Sequence, residues 1–215
     1  EHVSHPMHVI NYLNDPAMQR QVAEDWVKTN HATTSKPPPF VAPKKRIKVG
    51  FFSADFRTHP VSQLLLDFFE NHDRERFEFI AFSYRNVDDP LQQCLKNVFS
   101  RFIDIESSGH LTAANLARDM GLHLAVDLGG YTADARTEIF AHRVAPVQVS
   151  FLGYPATTGA PFTVSDAPAS PTVPSRNVES LAAISALAAS MRNFGFDVRA
   201  GAPRRSQASS LRIKF

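Results

Sequence analysis

Ile47-Lys-Val-Gly-Phe-Phe-Ser53 opens a run in which apolar strands and amphipathic helices alternate, and that alternation decides the fold. The segment itself reads as a buried strand. Val61 to Asn71 is predicted to be a helix with Leu64, Leu65, Phe68 and Phe69 facing inward. Phe77 to Tyr84 reads as a second strand, Pro90 to Phe99 as a second helix, and Phe102 to Ile105 as a short third strand. Thr112 to Met120 forms a third helix, stopped by Gly121 at a position where a left-handed backbone costs least. Leu122 to Leu128, a short helix from Thr137 to Arg143, and Val147 to Leu152 complete the series. Strands and helices at this spacing imply right-handed βαβ crossovers and a mainly parallel sheet. The nearly unbroken apolar strands agree, because parallel strands are covered on both faces. The fold class is α/β, a Rossmann-like parallel sheet with flanking helices, spanning residues 46–162.

Outward from this core the pattern weakens. Upstream, Asp15 is a candidate N-cap and Pro16 the first residue of a helix reaching Val27, with Met18, Val22 and Trp26 on one face. Residues 1–32 read as an N-terminal helical segment and 33–45 as an extended linker carrying Pro37, Pro38, Pro39 and Pro43. Downstream of Thr163, Ala, Ser, Pro and Arg dominate, and only Val178 to Met191 keeps a helical pattern. Residues 163–215 read as a divergent tail, disordered or a loose helix, as though the α/β unit were interrupted. A shifted reading frame would explain that break.

The bulk composition narrows the function classes. The chain has 215 residues, 43% of them hydrophobic and 20% charged, which suits one globular domain plus extensions. A net charge of +2, with Lys and Arg scattered, gives no reason to expect nucleic acid or an anionic membrane as partner. The single cysteine, Cys94, excludes an internal disulfide framework and a cysteine-built zinc site, and fits a reducing, cytoplasmic setting. No stretch reaches the roughly 18 apolar residues of a membrane span, and no basic-then-apolar leader opens the chain. A first residue of Glu1 rather than Met points to a fragment or a processed product.

Parallel α/β sheets bind ligands at the carboxyl ends of their strands, and three polar segments fall there. Ser53-Ala-Asp-Phe-Arg-Thr-His-Pro-Val-Ser62 places a carboxylate (Asp55), an arginine and an imidazole (His59) in one short loop, with Pro60 at the following helix start. His59 can accept or donate a proton near neutral pH, and the helix start favours anions. Asp127-Leu-Gly-Gly-Tyr-Thr-Ala-Asp-Ala-Arg136 offers paired glycines for close approach and polar groups on Tyr131, Thr132 and Arg136. Leu152-Gly-Tyr-Pro-Ala-Thr-Thr-Gly159 adds glycines and the hydroxyls of Thr157 and Thr158, suited to a sugar or a phosphate. The competing reading of each is a turn that merely needs polar or flexible residues. Neither a phosphate-binding Gly-Lys-Ser/Thr loop nor a Gly-x-Gly-x-x-Gly fingerprint occurs. His110, His123 and His142 fit packing better than ligation, and His2, His5 and His8 lack the carboxylate shell of a metal site.

Taken together, the segments resemble the catalytic region of O-GlcNAc transferases and their bacterial tetratricopeptide-linked relatives. The resemblance rests on Arg46-Ile-Lys-Val-Gly-Phe-Phe-Ser-Ala-Asp-Phe56 with Thr58-His-Pro-Val-Ser62, on Asp127-Leu-Gly-Gly-Tyr-Thr132, and on the gap-free run from Ile139 to Ala160. It extends from Lys45 to Phe162, is weaker from His5 to the proline linker, and is absent beyond. It implies the N-terminal lobe of a GT-B glycosyltransferase. The implied reaction is inverting transfer of N-acetylglucosamine from UDP-GlcNAc to Ser or Thr of protein acceptors, with no metal or other cofactor. Carried over by motif, Asp55 and His59 are the catalytic acid-base candidates. His5, Pro60, Tyr131, Thr132, Leu152, Gly153, Tyr154 and Pro155 are the implied substrate-binding residues.

The implied partners are protein acceptors and, in full-length relatives, upstream tetratricopeptide repeats and a C-terminal lobe that binds UDP. Without that lobe the diphosphate leaving group lacks its electrostatic stabilisation, so the isolated chain is expected to be inactive. Val61 stands where members of the family can carry Thr, and Gln63 where a second His can occur. A hexosyltransferase acting on Asn, or a non-catalytic lobe that binds or regulates other proteins, are the alternatives.

Overall fold

The computed structural model describes residues 15–31, 35–154, 157–165 and 186–191. The candidate residues His5 and Pro155 lie outside the described residues, as do His2 and His8. Helix α1 (Pro16–Asn30) precedes β1 (Ile47–Ser53), α2 (Pro60–Asn71), β2 (Phe77–Ser83), α3 (Pro90–Val98) and β3 (Arg101–Asp104). The chain continues through α4 (His110–Asp119), β4 (Leu124–Asp127), α5 (Thr137–Ala141), β5 (Val147–Ser150) and β6 (Val164–Ser165). All pairings are parallel, in the order β3-β2-β1-β4-β5-β6. This is the doubly wound order, whose direction reverses between β1 and β4.

Three helix starts share one device. Asp15, His59 and Asp89 each cap a helix through the side chain, and Pro16, Pro60 and Pro90 each occupy the first turn. Proline lacks an N–H at a place where the helix offers no partner for one, so it fits there without loss. Gly121 takes φ +64° just past α4, as its position predicts.

The strand side chains alternate between two cores. Val49, Phe51, Phe79, Leu124 and Val126 face α2 and α3, where Val61, Leu65, Phe68, Phe69 and Leu95 meet them. Phe51 sits edge-on to Phe69 at 5.1 Å and to Phe79 at 4.8 Å, an arrangement that aligns ring edges with ring faces. On the other face Phe52, Ile80, Phe82 and Ala125 pack against α1, α4 and α5, with Phe52 and Phe82 stacked at 4.4 Å. Gly50 lets that stack close, because a Cβ there would lie 2.6 Å from Leu122.

Several expectations need correction. Leu64 is 51% exposed; it lies roughly 100° around α2 from the midline of the stripe formed by Val61, Leu65, Phe68 and Phe69. In α1 the buried row is Ala23 and Val27, with Val22 and Trp26 on its flank and Met18 exposed. The first helical segment is not a separate unit, since Ala23 and Val27 belong to the core shared with β1, β2 and β4.

The boundary drawn at residue 163 falls inside the sheet. Val164 and Ser165 pair with Val149 and Ser150 of β5, supplying partners to what would otherwise be an open edge. Residues 186–191 are helical, and Leu187 and Met191 are buried in the core over α2 and β1. A strand and a helical stretch therefore follow Thr163. A two-residue strand shows no periodicity, and the stretch 186–191 lies in the expected Val178–Met191 helix, whose Ala/Ser-rich sequence gives no sign of its burial.

Candidate functional site

The segments following β1, β4 and β5 come together at the carboxyl ends of the strands around the β1/β4 reversal, where ligands bind in folds of this kind. Ser53 Oγ accepts the Asp55 amide at 2.9 Å, and the Asp55 carbonyl accepts from Ser62 Oγ. Asp89 Oδ1 caps α3 through the Gln92 amide at 3.0 Å and also accepts the Thr58 amide at 2.9 Å. Gln92, fully buried, donates to the Phe56 carbonyl at 2.9 Å and to the Arg85 carbonyl at 3.0 Å. The loop is thus clamped from α2 and from α3. Within it, Asp55 Oδ1 pairs with Arg57 at 3.3 Å, and Oδ2 lies 3.6 Å from His59 Nδ1. His59 Nδ1 accepts the Val61 amide at 3.3 Å. Asp55 is buried and His59 half-buried.

The second segment hangs on Asp127, whose Oδ1 accepts the amides of Gly129 at 2.9 Å and Gly130 at 3.1 Å. Desolvation pushes the Asp127 carboxyl up to about 6, the two amides oppose that rise, and the charge of Glu138 adds to it. Its Oδ2 has no hydrogen-bond partner. Gly130 takes φ +57° and passes so close to Tyr154 that a Cβ would lie 2.5 Å from the Tyr154 Cβ.

The third segment turns sharply. Leu152 takes φ +68°, and the Gly153 amide closes back on the Phe151 carbonyl at 3.0 Å. That pairing is a γ-turn with a non-glycine residue at positive φ, a strained conformation of the kind concentrated at functional sites. Gly153 seats directly on the second segment: a Cβ would stand 1.8 Å from the Leu128 carbonyl oxygen and 3.6 Å from Val61. Val61, in the first turn of α2 just after His59 and Pro60, therefore stands beside the Leu152–Gly153 turn.

Other candidates are placed differently. Tyr131 is buried; its hydroxyl donates to the Thr158 carbonyl at 2.8 Å and its ring meets Tyr154 edge-on at 5.6 Å. Burial raises its phenol well above the ordinary value, with the charges and dipoles of Tyr154, Asp127 and Glu138 acting in the same direction. Thr132 Oγ1 donates to the Gly129 carbonyl at 2.9 Å. Thr158 is buried and its hydroxyl pairs with Thr163 at 3.2 Å, so it braces the loop rather than facing a ligand. Arg136 donates to the carbonyls of Ile105 and Ser108. His123 accepts the Lys48 amide through Nδ1 at 2.9 Å, which makes it a packing residue. Among the described residues, no group of three or more His, Cys, Asp or Glu is placed to hold a metal ion, and no helix is long and apolar enough to cross a membrane.

Sequence reasoning missed Asp89 and Gln92, which hold the first loop, and saw that Gly159 allows close approach but not to what. Gly159 takes φ +64°, and a Cβ there would lie 2.5 Å from the backbone of Ala23 and Glu24. An Asp-Pro helix start signals Asp89; nothing in a linear pattern signals a contact between residue 23 and residue 159.

Comparison with known proteins agrees with this fold. The family model described as glycosyl transferase family 41 matches residues 5–187, past Phe162 and through β6. A probable UDP-N-acetylglucosamine–peptide N-acetylglucosaminyltransferase SEC of Arabidopsis thaliana is 31% identical over 73% of this chain, which spans 17% of that protein. The UDP-N-acetylglucosamine–peptide N-acetylglucosaminyltransferase of Caenorhabditis elegans is 38% identical over 59% of the chain and 12% of its own length. Among solved structures, a point mutant of the Thermobaculum terrenum O-GlcNAc transferase superposes with a TM-score of 0.67 at 29% identity, over 73% of this chain and 31% of that one. The chain spans a small part of the relatives it matches, and that part is the Rossmann-like lobe with its crevice. It belongs to glycosyl transferase family 41.

Proposed function

We propose that this chain forms one wall of a site that transfers N-acetylglucosamine from UDP-GlcNAc to Ser or Thr hydroxyls of proteins, with inversion at the anomeric carbon. The observation that carries the reading is the approach of Val61, which directly follows the Asp55–Pro60 loop, to the Leu152–Gly153 turn at the β1/β4 reversal. Asp55 supplies a proton-handling carboxylate and His59 a hydrogen-bonding group. Pro60, Leu152 and Gly153 line the sugar pocket, while Tyr131, Thr132 and Tyr154 hold its shape.

Inverting transfer needs an acceptor for the proton of the attacking hydroxyl and positive charge for the departing diphosphate. Arg57 is paired with Asp55, and Arg85 with Asp134 at 2.8 Å, so neither stands ready to offset that charge. We assign this task to the remainder of the catalytic region found in full-length relatives. The reaction needs no metal, so a chelator leaves the rate unchanged.

The test is transfer from UDP-GlcNAc to protein by the purified chain, alone and mixed with the separately made remainder of the catalytic region of a full-length relative. No turnover is expected from the chain alone, and transfer from the mixture. Robust transfer by the isolated chain overturns the shared-site reading; no transfer from a mixture that associates overturns the assignment of this crevice.

A further inference from the structure

Two groups approach the same ring nitrogen of His59, and their distances separate its possible roles. The Val61 amide donates to Nδ1 at 3.3 Å, while Asp55 Oδ2 lies 3.6 Å away. The Val61 amide always carries its hydrogen, and it is the first one α2 presents, since Pro60 has none. A ring nitrogen that accepts an N–H must offer its lone pair, so the neutral ring carries its proton on Nε2. Asp55 Oδ2 stands beyond hydrogen-bond reach, and Oδ1 is taken up by Arg57. This is the opposite of a carboxylate–histidine pair, in which the carboxylate holds Nδ1–H and leaves a lone pair on Nε2 to act as base.

About a third of the His59 side chain is open to solvent (33%). We infer that His59 enters the crevice through Nε2–H, as a hydrogen-bond donor to an oxygen of the bound ligand, and is not the group that takes up the proton of an attacking hydroxyl. The identity of that oxygen rests on the sugar-nucleotide reading of the crevice; the tautomer does not.

The test uses the full chain labelled with 15N and carrying no ligand. Long-range 1H–15N correlations of the His59 ring, assigned by their loss in His59→Asn, are recorded where the ring is neutral. A non-protonated Nδ1 and a protonated Nε2 are expected; the reverse pattern, or two averaged nitrogens, overturns the proposal. Hydrogen exchange at Val61 gives a second measurement. Asn keeps an oxygen able to cap α2, so exchange in His59→Asn stays within about twofold of wild type, whereas His59→Ala exchanges about fivefold faster. Equal rates in wild type and His59→Ala overturn it. A chain that fails the transfer assay but shows protonated Nε2 loses the functional reading and keeps the tautomer, so the two failures are distinguishable.

Discussion

Replacing Asp127 by Asn tests how the fold holds the crevice together. The carboxyl is 1% exposed, with Oδ1 committed to two glycine amides and Oδ2 without a partner. Desolvation raises its pKa from the ordinary 3.8 to about 6. The folded state therefore holds this proton more tightly than the unfolded chain does. The stability it contributes is complete below the ordinary carboxylate range and is lost as pH rises through about 6. A rise of that size corresponds to roughly 3 kcal/mol between the protonated and ionised forms. Asn keeps an oxygen for the Gly129 and Gly130 amides and cannot ionise. Urea unfolding of wild type and Asp127→Asn, followed from about pH 4 to about pH 8, isolates this group because the other titrations are common to both. The variant should gain about 2–3 kcal/mol relative to wild type across that range. A difference that stays flat with pH refutes the buried-proton reading, and one that moves the other way refutes its sign.

Gly153→Ala puts a methyl 1.8 Å from the Leu128 carbonyl, a clash with backbone that costs about 3 kcal/mol or more; a denaturation midpoint equal to wild type would show that the turn does not seat there. Gly159→Ala combines positive φ with a 2.5 Å contact on the backbone of α1. It should free the helix, seen as a red shift in the emission of Trp26, the only tryptophan. Unchanged emission with unchanged stability would contradict the packing. In the complemented enzyme, Asp55→Asn should lower kcat by at least about 100-fold if the carboxylate handles a proton, and an effect confined to KM would reduce Asp55 to a binding group.

The sheet could be read from the chain because its information is local. The strands β1, β2 and β4 are largely apolar runs, and each helix from α1 to α3 opens on a cap followed by proline. The site was readable only as far as loop position allowed. Asp55, His59, Leu152 and Gly153 sit in the segments after β1 and β5, at strand ends where ligands gather in this fold, and Val61, just after His59 and Pro60, stands near Gly153. What escaped depends on distance in the chain. The burial of Tyr131 and Thr158 follows from their contact with each other, and no periodicity reports such a contact. Gln92 looks like any polar residue on an exposed helix face, yet its amide ties Phe56 and Arg85. The boundary at residue 163 failed for a related reason, since a strand of two residues is defined by its partner and not by its own composition.

The proline-rich stretch shows how far composition alone can mislead. Residues 36–40 lie along the foot of the sheet, where β1 and β4 begin. The Lys36 carbonyl accepts from Arg118 near the end of α4, and Phe40 lies edge-on to His123, just before β4. At the other end of the sheet, His31 stacks on Tyr131 at 6.3 Å, and Ala23 sits against Gly159. The stretch from 35 to 43 is therefore packed against the foot of the sheet beside α4 and the start of β4. Because Ala23 of α1 seats against Gly159 and His31 stacks on Tyr131, α1 braces the loops after β4 and β5. Loosening α1 should disturb the Leu152–Gly153 turn without touching any residue that lines it.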